Sequence, residues 1–317
     1  MNPTGDFFLR IPLGDGVKWL IDWLKDNVSF LFDAFSFVMT FLIDGLSDLL
    51  LLLPALLMVV VFGLLSLVFR SWKFAIATVL FFLFALAIDV WEPMMQTMAQ
   101  VIVATACAIV IAVPLGILAG VSRTVSTIVR PVLDFMQTMP AFVYLIPAVT
   151  FFSIGVVPGI FSTIIFALPP GVRMTELGIR QVDGETVEAG ESFGATPGQI
   201  LTGIQLPLAI PTIMAGINQV IMLSLSMAVI AGMVGADGLG KLVVQGINTM
   251  NLPLGVEAGV GVVLLAVFLD RLTAALGNPG SYPSSLIALI RASLARSAAA
   301  RADAEAAEAE EPVPAAA

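Results

Sequence analysis

Long apolar runs follow one another through most of this chain, and they constrain its fold more than any other feature. Hydrophobic residues make up 59% of the 317 residues and charged residues only 12%. A soluble domain of this size carries about twice that charged fraction, so the chain lacks the polar surface that would cover a core in water. Because the apolar runs are continuous rather than alternating, we expect an all-α polytopic membrane protein and not an outer-membrane barrel.

Seven stretches come close to the roughly 20 apolar residues that a helix needs to cross the hydrocarbon core. We place these spans near residues 49–69, 74–90, 98–121, 139–156, 158–174, 207–234 and 255–276. The stretch 139–174 contains five prolines and admits two divisions, either two spans or one span plus a re-entrant piece. A turn at Gly155 and Pro158–Gly159 favours two spans.

The two ends of the chain differ in composition from the spans. Residues 1–46 carry Trp19 and Trp23 among Asp and Lys side chains. We interpret this region as an extracytoplasmic tail with an interfacial amphipathic helix up to about residue 33, with a solvated loop as the alternative. No basic region precedes an early apolar run, so we expect no cleaved signal peptide. Residues 278–317 end in an Ala/Glu-rich tail that we expect to be cytoplasmic and disordered.

The basic residues give the spans an orientation. Arginine and lysine are concentrated after the first, third, fifth and seventh spans, as in Arg123, Arg180 and Arg291. The positive-inside rule therefore predicts a multi-pass membrane protein with the N-terminus outside and the C-terminus and residues 175–206 in the cytoplasm.

Several classes of function are excluded by what the chain lacks. It has no histidine and a single cysteine, Cys107. Histidine-based metal sites and Ser–His or Cys–His catalysis are therefore excluded. No basic patch suits nucleic acid.

One polar stretch, EAGESFGATPGQILTGIQLP at 188–207, interrupts the apolar pattern. Acidic residues follow Asp183–Gly184 where a helix N-terminus favours them, and Gly194 suits a left-handed C-terminal cap. Thr196, Pro197 and Gln199 form a capping-box sequence for a second helix. The loop 183–206 is thus predicted to be helix, glycine bend, helix. From these features alone, an ordinary structured loop is an equal alternative.

The spacing within this stretch resembles the coupling-loop signature E-A-[A/G]-x3-G-x9-I-x-L-P of permease subunits of bacterial ABC importers. The matching positions are Glu188, Ala189, Gly190, Gly194, Ile204, Leu206 and Pro207. The third position is Gly here instead of the commoner Ala. By this resemblance, the loop would dock on a separate ATP-hydrolysing subunit, and Glu188, Ala189 and Gly194 would lie at that contact.

Further segments resemble one branch of that family, the membrane subunits of glycine betaine/proline betaine importers. These segments are 134–148, 164–179, 205–233 and 268–277. The resemblance implies a five-helix permease core of the type I importers at 98–277, preceded by two additional spans at 47–97. It also implies two permease copies, two ATPase subunits that bind ATP and Mg²⁺, and an extracytoplasmic binding protein. No cofactor would lie on this chain, and it would perform no covalent chemistry.

Polar residues inside the spans are weaker candidates. Asn218 and Ser226 are possible pathway residues, with helix–helix hydrogen bonding as the alternative. GADGLGKL at 235–242 is close to a nucleotide-binding P-loop, but Leu242 replaces the required Ser or Thr, so we interpret it as an outer-face turn. A permease for another small polar solute, a secondary transporter and an intramembrane enzyme are the alternative functions, and the lack of paired mid-span acids argues against the last two.

Overall fold

The computed structural model describes residues 12–277 and 284–285, and it consists of helices joined by short turns, as expected for the all-α class predicted. The helices are α1 (Leu13–Leu52), α2 (Ala55–Phe69), α3 (Trp72–Ala87), α4 (Trp91–Val121), α5 (Arg123–Thr138), α6 (Ala141–Phe152), α7 (Val156–Arg180), α8 (Gly184–Ser192), α9 (Pro197–Ile200), α10 (Leu206–Ala231), α11 (Leu239–Asn248) and α12 (Leu252–Gly277). A five-residue π turn, Leu201–Gln205, joins α9 to α10.

The structure does not confirm the predicted count of seven spans. Among the described residues, five helical stretches are long and apolar enough to cross a membrane, namely Gly14–Leu52, Trp91–Val121, Val156–Arg180, Pro197–Val234 and Leu252–Gly277. The pair α5 and α6 is apolar enough together but bends by 97°. Pro140 lies at this bend, where proline removes a backbone donor and disfavours helix at the preceding residue. The helices α2 and α3 have only 15 and 16 residues.

The N-terminal region is helical over Leu13–Leu52, with a non-helical residue at Val28 that divides it into two parts. Helix α1 runs for 40 residues with a kink at Val28. It ends before Pro54, because the residue before a proline is pushed into extended backbone, as Leu53 is here. The predicted span near 49–69 is therefore broken at Leu53–Pro54. The predicted boundaries at 46/47 and 97/98 both fall inside helices.

The turn between α6 and α7 lies slightly earlier than predicted. Ser153 and Gly155 have φ angles of 63° and 150°, which reverse the chain. Pro158 and Gly159 lie within the first turn of α7, where proline is tolerated because the first amides of a helix have no partner within it. The predicted cytoplasmic tail 278–317 lies outside the described residues, apart from 284–285.

Helices α4, α7 and α10 form the centre of the fold through closely spaced backbones. A Cβ on Gly116 of α4 would lie 2.7 Å from the carbonyl oxygen of Val172 in α7. A Cβ on Gly178 of α7 would lie 3.2 Å from the carbonyl oxygen of Ala209 in α10. Small residues thus let these helices approach, as is common in membranes. Gly116 and Gly120 both face α7, where a Cβ on Gly120 would lie 3.0 Å from Cβ of Ile179.

Helices α2 and α3 form a hairpin that packs on the end of this bundle. The hydroxyls of Ser66 and Thr78 are hydrogen-bonded at 2.8 Å across the hairpin. The ring of Phe82 stacks on Phe62 at 4.6 Å and meets Phe268 of α12 edge-on at 5.0 Å. The aromatic contacts fix the hairpin against α12.

Candidate functional site

The polar loop 183–206 has the helix–bend–helix structure that its caps predict. A carboxylate oxygen of Asp183 accepts a hydrogen bond from the amide of Glu185 at 3.1 Å and starts α8. Thr196 and Gln199 form the reciprocal capping box that starts α9. Because both helices carry their own caps, the loop is ordered locally and does not depend on the apolar core for its shape.

Gly194 makes the bend between the two helices. Its φ angle is 81°, in the left-handed region that glycine adopts without strain. The amide of Gly194 donates to the carbonyl of Glu191 at 2.8 Å, and the amide of Ala195 donates to that of Gly190 at 3.1 Å. These two bonds form the Schellman motif that ends a helix, so Gly194 has the backbone role that the sequence predicts.

Gly190 allows α8 to fold back on the helix that follows. A Cβ on Gly190 would lie 2.7 Å from Cδ1 of Ile204 and 3.6 Å from Cγ1 of Ile200. The third and fifth fixed positions of the motif, Gly190 and Ile204, lie on either side of the bend and are thus in contact. This contact gives a physical reason for a small residue at position 190 and an apolar one at position 204.

The outer surface of the loop carries the remaining motif positions. Glu188 and Ala189 are exposed, and nothing in the described part of the chain covers them. Between them and the bend, Phe193 exposes 93% of its surface. Such a ring is accessible to another macromolecule, and aromatic residues are enriched among those that dominate binding energy at interfaces. The sequence analysis missed Phe193, although its position directly before the bend could have revealed it.

Leu206 and Pro207 lie where the loop joins α10. Leu206 is half-buried, and its amide donates to the carbonyl of Leu201, five residues earlier, as in a π turn. Pro207 lies in the first turn of α10 and lacks an amide hydrogen. The helix nevertheless continues without a gap from Pro197 through α10, so α9 and the span form one continuous helical segment.

At its other end the loop is joined to α7, whose last turns carry a buried group of charges. The Glu176 cluster consists of Ser126, Arg130, Glu176 and Arg180. One oxygen of Glu176 accepts from Ser126 Oγ at 2.7 Å, from an Nη of Arg130 at 2.9 Å and from Nε of Arg180 at 3.0 Å. The Glu176 side chain is only 5% exposed. The sequence analysis did not identify this cluster.

The two predicted pathway residues lie in different environments. The Asn218 amide nitrogen donates to a carboxylate oxygen of Asp270 at 2.7 Å, and its oxygen accepts from Thr273 at 2.8 Å. These bonds connect α10 to α12, which is the helix–helix hydrogen bonding given above as the alternative role of Asn218. Asn218 and Thr273 also line a cavity of about 270 Å³. Ser226 is exposed and donates only to the carbonyl of Met222, within its own helix.

In the glycine-rich segment 235–242, residues 235–238 form a turn against α4 and residues 239–242 begin α11. Gly235 and Gly238 have φ angles of 88° and 104°. The amide of Leu239 donates to Thr97 Oγ1, and the carbonyl of Asp237 accepts from Gln100, at 2.8 and 2.7 Å. Residues 235–238 therefore have the turn structure that the sequence predicts. The backbone groups of Asp237 and Leu239 are hydrogen-bonded to side chains of α4.

Comparison with known proteins supports the family that the loop motif indicates. Residues 112–278 match the family described as binding-protein-dependent transport system inner membrane component. The glycine betaine transport system permease protein OpuAB of Bacillus subtilis is 46% identical over 264 residues, which cover 83% of this chain and 94% of that protein. The glycine betaine/proline betaine transport system permease protein ProW of Escherichia coli is 46% identical over 268 residues, 84% of this chain and 76% of ProW.

A solved structure shares the fold of the core. A chain of the MetNI methionine ABC transporter in an inward-facing conformation aligns with a TM-score of 0.53 and 25% identity, covering 58% of this chain and 92% of that one. The residues 112–278 that match the family include α5, α7, the loop 183–206 and α10, which together carry the motif and the Glu176 cluster. The chain therefore belongs to the family of binding-protein-dependent transport system inner membrane components, the membrane permeases of ABC importers.

Proposed function

We propose that this chain is the permease subunit of an ATP-driven importer for compatible solutes of the glycine betaine and proline betaine class, including choline-like quaternary amines. The observation that carries the proposal is the loop 183–206, which presents Glu188, Ala189 and Phe193 on an ordered scaffold. The relatives OpuAB and ProW, which match over most of this chain, support the solute class.

The loop is suited to transmit motion because both of its ends continue into spans. It follows α7 after three residues, and it continues into α10 through the π turn. A partner that displaces the loop would therefore tilt α7 and α10 together, and these two helices are in close contact at Gly178 and Ala209. We propose that the partner is a separate ATPase subunit and that closure of two such subunits supplies the displacement.

The translocation path would lie between two copies of this chain, each coupled to one ATPase subunit, with transport by alternating access. An extracytoplasmic binding protein would deliver the solute and determine most of the specificity. No bond of the solute is made or broken in this scheme, so the chain acts as a transporter subunit and not as an enzyme. ATP and Mg²⁺ would be held by the partner. The N-terminus would lie outside and the C-terminus in the cytoplasm.

Uptake of labelled glycine betaine tests this proposal. The chain is expressed with its ATPase and binding-protein partners in cells that lack other osmolyte importers, and each component is omitted in turn. We expect uptake that requires all three components and that excess proline betaine inhibits. Uptake without the ATPase would indicate a secondary transporter. Retained association with the ATPase but no betaine uptake would assign the importer to another small polar solute.

A further inference from the structure

The Glu176 cluster connects three helices at the end of α7 that leads into the loop. Ser126 and Arg130 belong to α5, whereas Glu176 and Arg180 belong to α7. Arg180 extends the connection to α4, because one of its Nη atoms donates to the carbonyl of Ala119 at 2.8 Å. A single carboxylate oxygen and one guanidinium thus hold the ends of α4, α5 and α7 together.

The partners differ in exposure, which places the buried charge at the centre of the cluster. The side chain of Glu176 is 5% exposed, whereas those of Arg130 and Arg180 are 58% and 31% exposed. Solvent reaches both guanidinium groups, so their charges do not depend on Glu176 for stabilisation. Solvent hardly reaches the Glu176 carboxylate, so its charge depends on the two arginines. Buried ion pairs contribute little net stability, and in some proteins they fix one particular arrangement of the elements that they join.

The position of the cluster relates it to the loop. Arg180 is the last residue of α7, and Asp183 caps α8 three residues later. A displacement of α8 therefore reaches the last turn of α7 first. Without the cluster, that turn could shift against α4 and α5. With it, the three helix ends move as one body.

We propose that Glu176 is a positioning residue for energy coupling, which locks the ends of α4 and α5 to α7 so that displacement of the loop 183–206 moves all three helices. This inference rests on the proposed importer function. The ion network converts a local movement at α8 into a movement of the bundle, and it does so through α7, independently of the continuous helix from α9 to α10.

The test uses the complete importer reconstituted in proteoliposomes with its ATPase and binding protein. The quantity measured is the amount of solute imported per ATP hydrolysed, for wild type, Glu176→Gln and Asp134→Asn. Asp134 forms an ion pair with Arg173 between the same helices α5 and α7, but its side chain is 64% exposed. It is therefore a matched control, because exposed pairs of this kind contribute little.

We expect Glu176→Gln to lower this ratio by at least about fivefold, the lower end of typical coupling effects, while ATP hydrolysis continues. Asp134→Asn should leave the ratio within about twofold of wild type. An unchanged ratio in Glu176→Gln would overturn the inference, as would an equal loss in both variants. If the wild-type assembly shows no uptake, the proposed importer function itself fails. That outcome is distinct from failure of the inference about Glu176, in which wild type imports solute and the variant does so with the same ratio.

A second variant keeps the test decisive if Glu176→Gln does not fold. Arg130→Gln removes an exposed partner and leaves the pair of Glu176 with Arg180 in place, so folding is expected to persist. We expect Arg130→Gln to have a ratio of solute imported per ATP hydrolysed between those of wild type and Glu176→Gln. Where Glu176→Gln does fold, adding Arg130→Gln to it should have no further effect, because the effects of interacting residues are not additive. A wild-type ratio in Arg130→Gln would contradict the proposal.

Discussion

At the scale of single residues, the loop depends on a backbone conformation that most side chains avoid. Gly194 combines a φ angle of 81° with an amide that donates to Glu191. There is free space around its missing Cβ, so the restriction at this position is conformational and not steric crowding. Residues that tolerate the left-handed region should therefore be accepted there, and residues that cannot adopt it should not.

Substitutions at Gly194 should separate these two cases. We expect Gly194→Pro to abolish uptake, because proline fixes φ near −65° and removes the donated hydrogen bond. Gly194→Asn should retain a substantial part of the activity, since asparagine tolerates this conformation. Uptake is measured at equal amounts of inserted protein. An equal loss of uptake in both variants would show that the backbone conformation of residue 194 is not the reason for the loss.

Phe193 and Glu188 should act at the surface of the loop without affecting the fold. Phe193→Ser removes an apolar side chain that is 93% exposed, so the thermal unfolding temperature of the chain should not fall. Phe193→Ser and Glu188→Lys should each weaken co-purification of the ATPase and reduce uptake, whereas Gln181→Ala, an exposed change outside the motif, should not. Normal co-purification in both variants would contradict docking through this surface.

At the scale of helices and loops, the sequence predicts local structure well and distant contacts poorly. The caps at Asp183, Gly194 and Thr196 were predictable because each depends on residues within a few positions of it. The Glu176 cluster was not, because Glu176 is 46 and 50 positions from its partners in α5. The bend between α5 and α6 follows from Pro140, but hydropathy alone does not distinguish a bent pair from a span.

The N-terminal region shows the same limit. Charged residues before position 33 predict an interfacial helix there, but hydropathy does not locate the kink at Val28 that interrupts Leu13–Leu52. The apolar side of the part after the kink packs on α4 and α7 through Met39 and Ile43. Such packing between distant segments cannot be predicted from the hydropathy of either one.

The closely packed α4–α7 interface gives a prediction at this scale. A Cβ on Gly116 would lie 2.5 Å from Cβ of Thr175, so Gly116→Ala forces the helices apart. Overpacking of this kind costs about 1–3 kcal/mol and should lower the thermal unfolding temperature of the purified chain in detergent. Gly259→Ala, with no atom within 4 Å of the added Cβ, is the control and should not lower it. Equal unfolding temperatures for both variants would contradict the close α4–α7 packing.

At the scale of the whole molecule, the coupling scheme requires the loop 183–206 on the side of the membrane where ATP is hydrolysed. The distribution of arginine and lysine predicts that side to be the cytoplasm, with residue 14 on the opposite side. The loop itself lies outside the candidate spans as far as Pro197, and its exposed residues are accessible to reagents.

Labelling of single cysteines tests this orientation. With Cys107→Ser as the background, Gly14→Cys should react with a membrane-impermeant maleimide added to intact cells, whereas Glu191→Cys should react only after the membrane is opened. Both positions are solvent-exposed in the structure, so a failure to react reflects the membrane and not burial. Labelling of Glu191→Cys in intact cells would place the loop on the wrong side for an ATPase.

The most direct test of the account is ATP-dependent accumulation of glycine betaine in proteoliposomes that contain this chain, its ATPase partner and its binding protein. We predict accumulation that requires ATP on the side of the loop 183–206 and that is lost in Gly194→Pro, although the variant still inserts. Accumulation that proceeds without ATP, or that persists unchanged in Gly194→Pro, would contradict the claim that this loop couples ATP hydrolysis to transport.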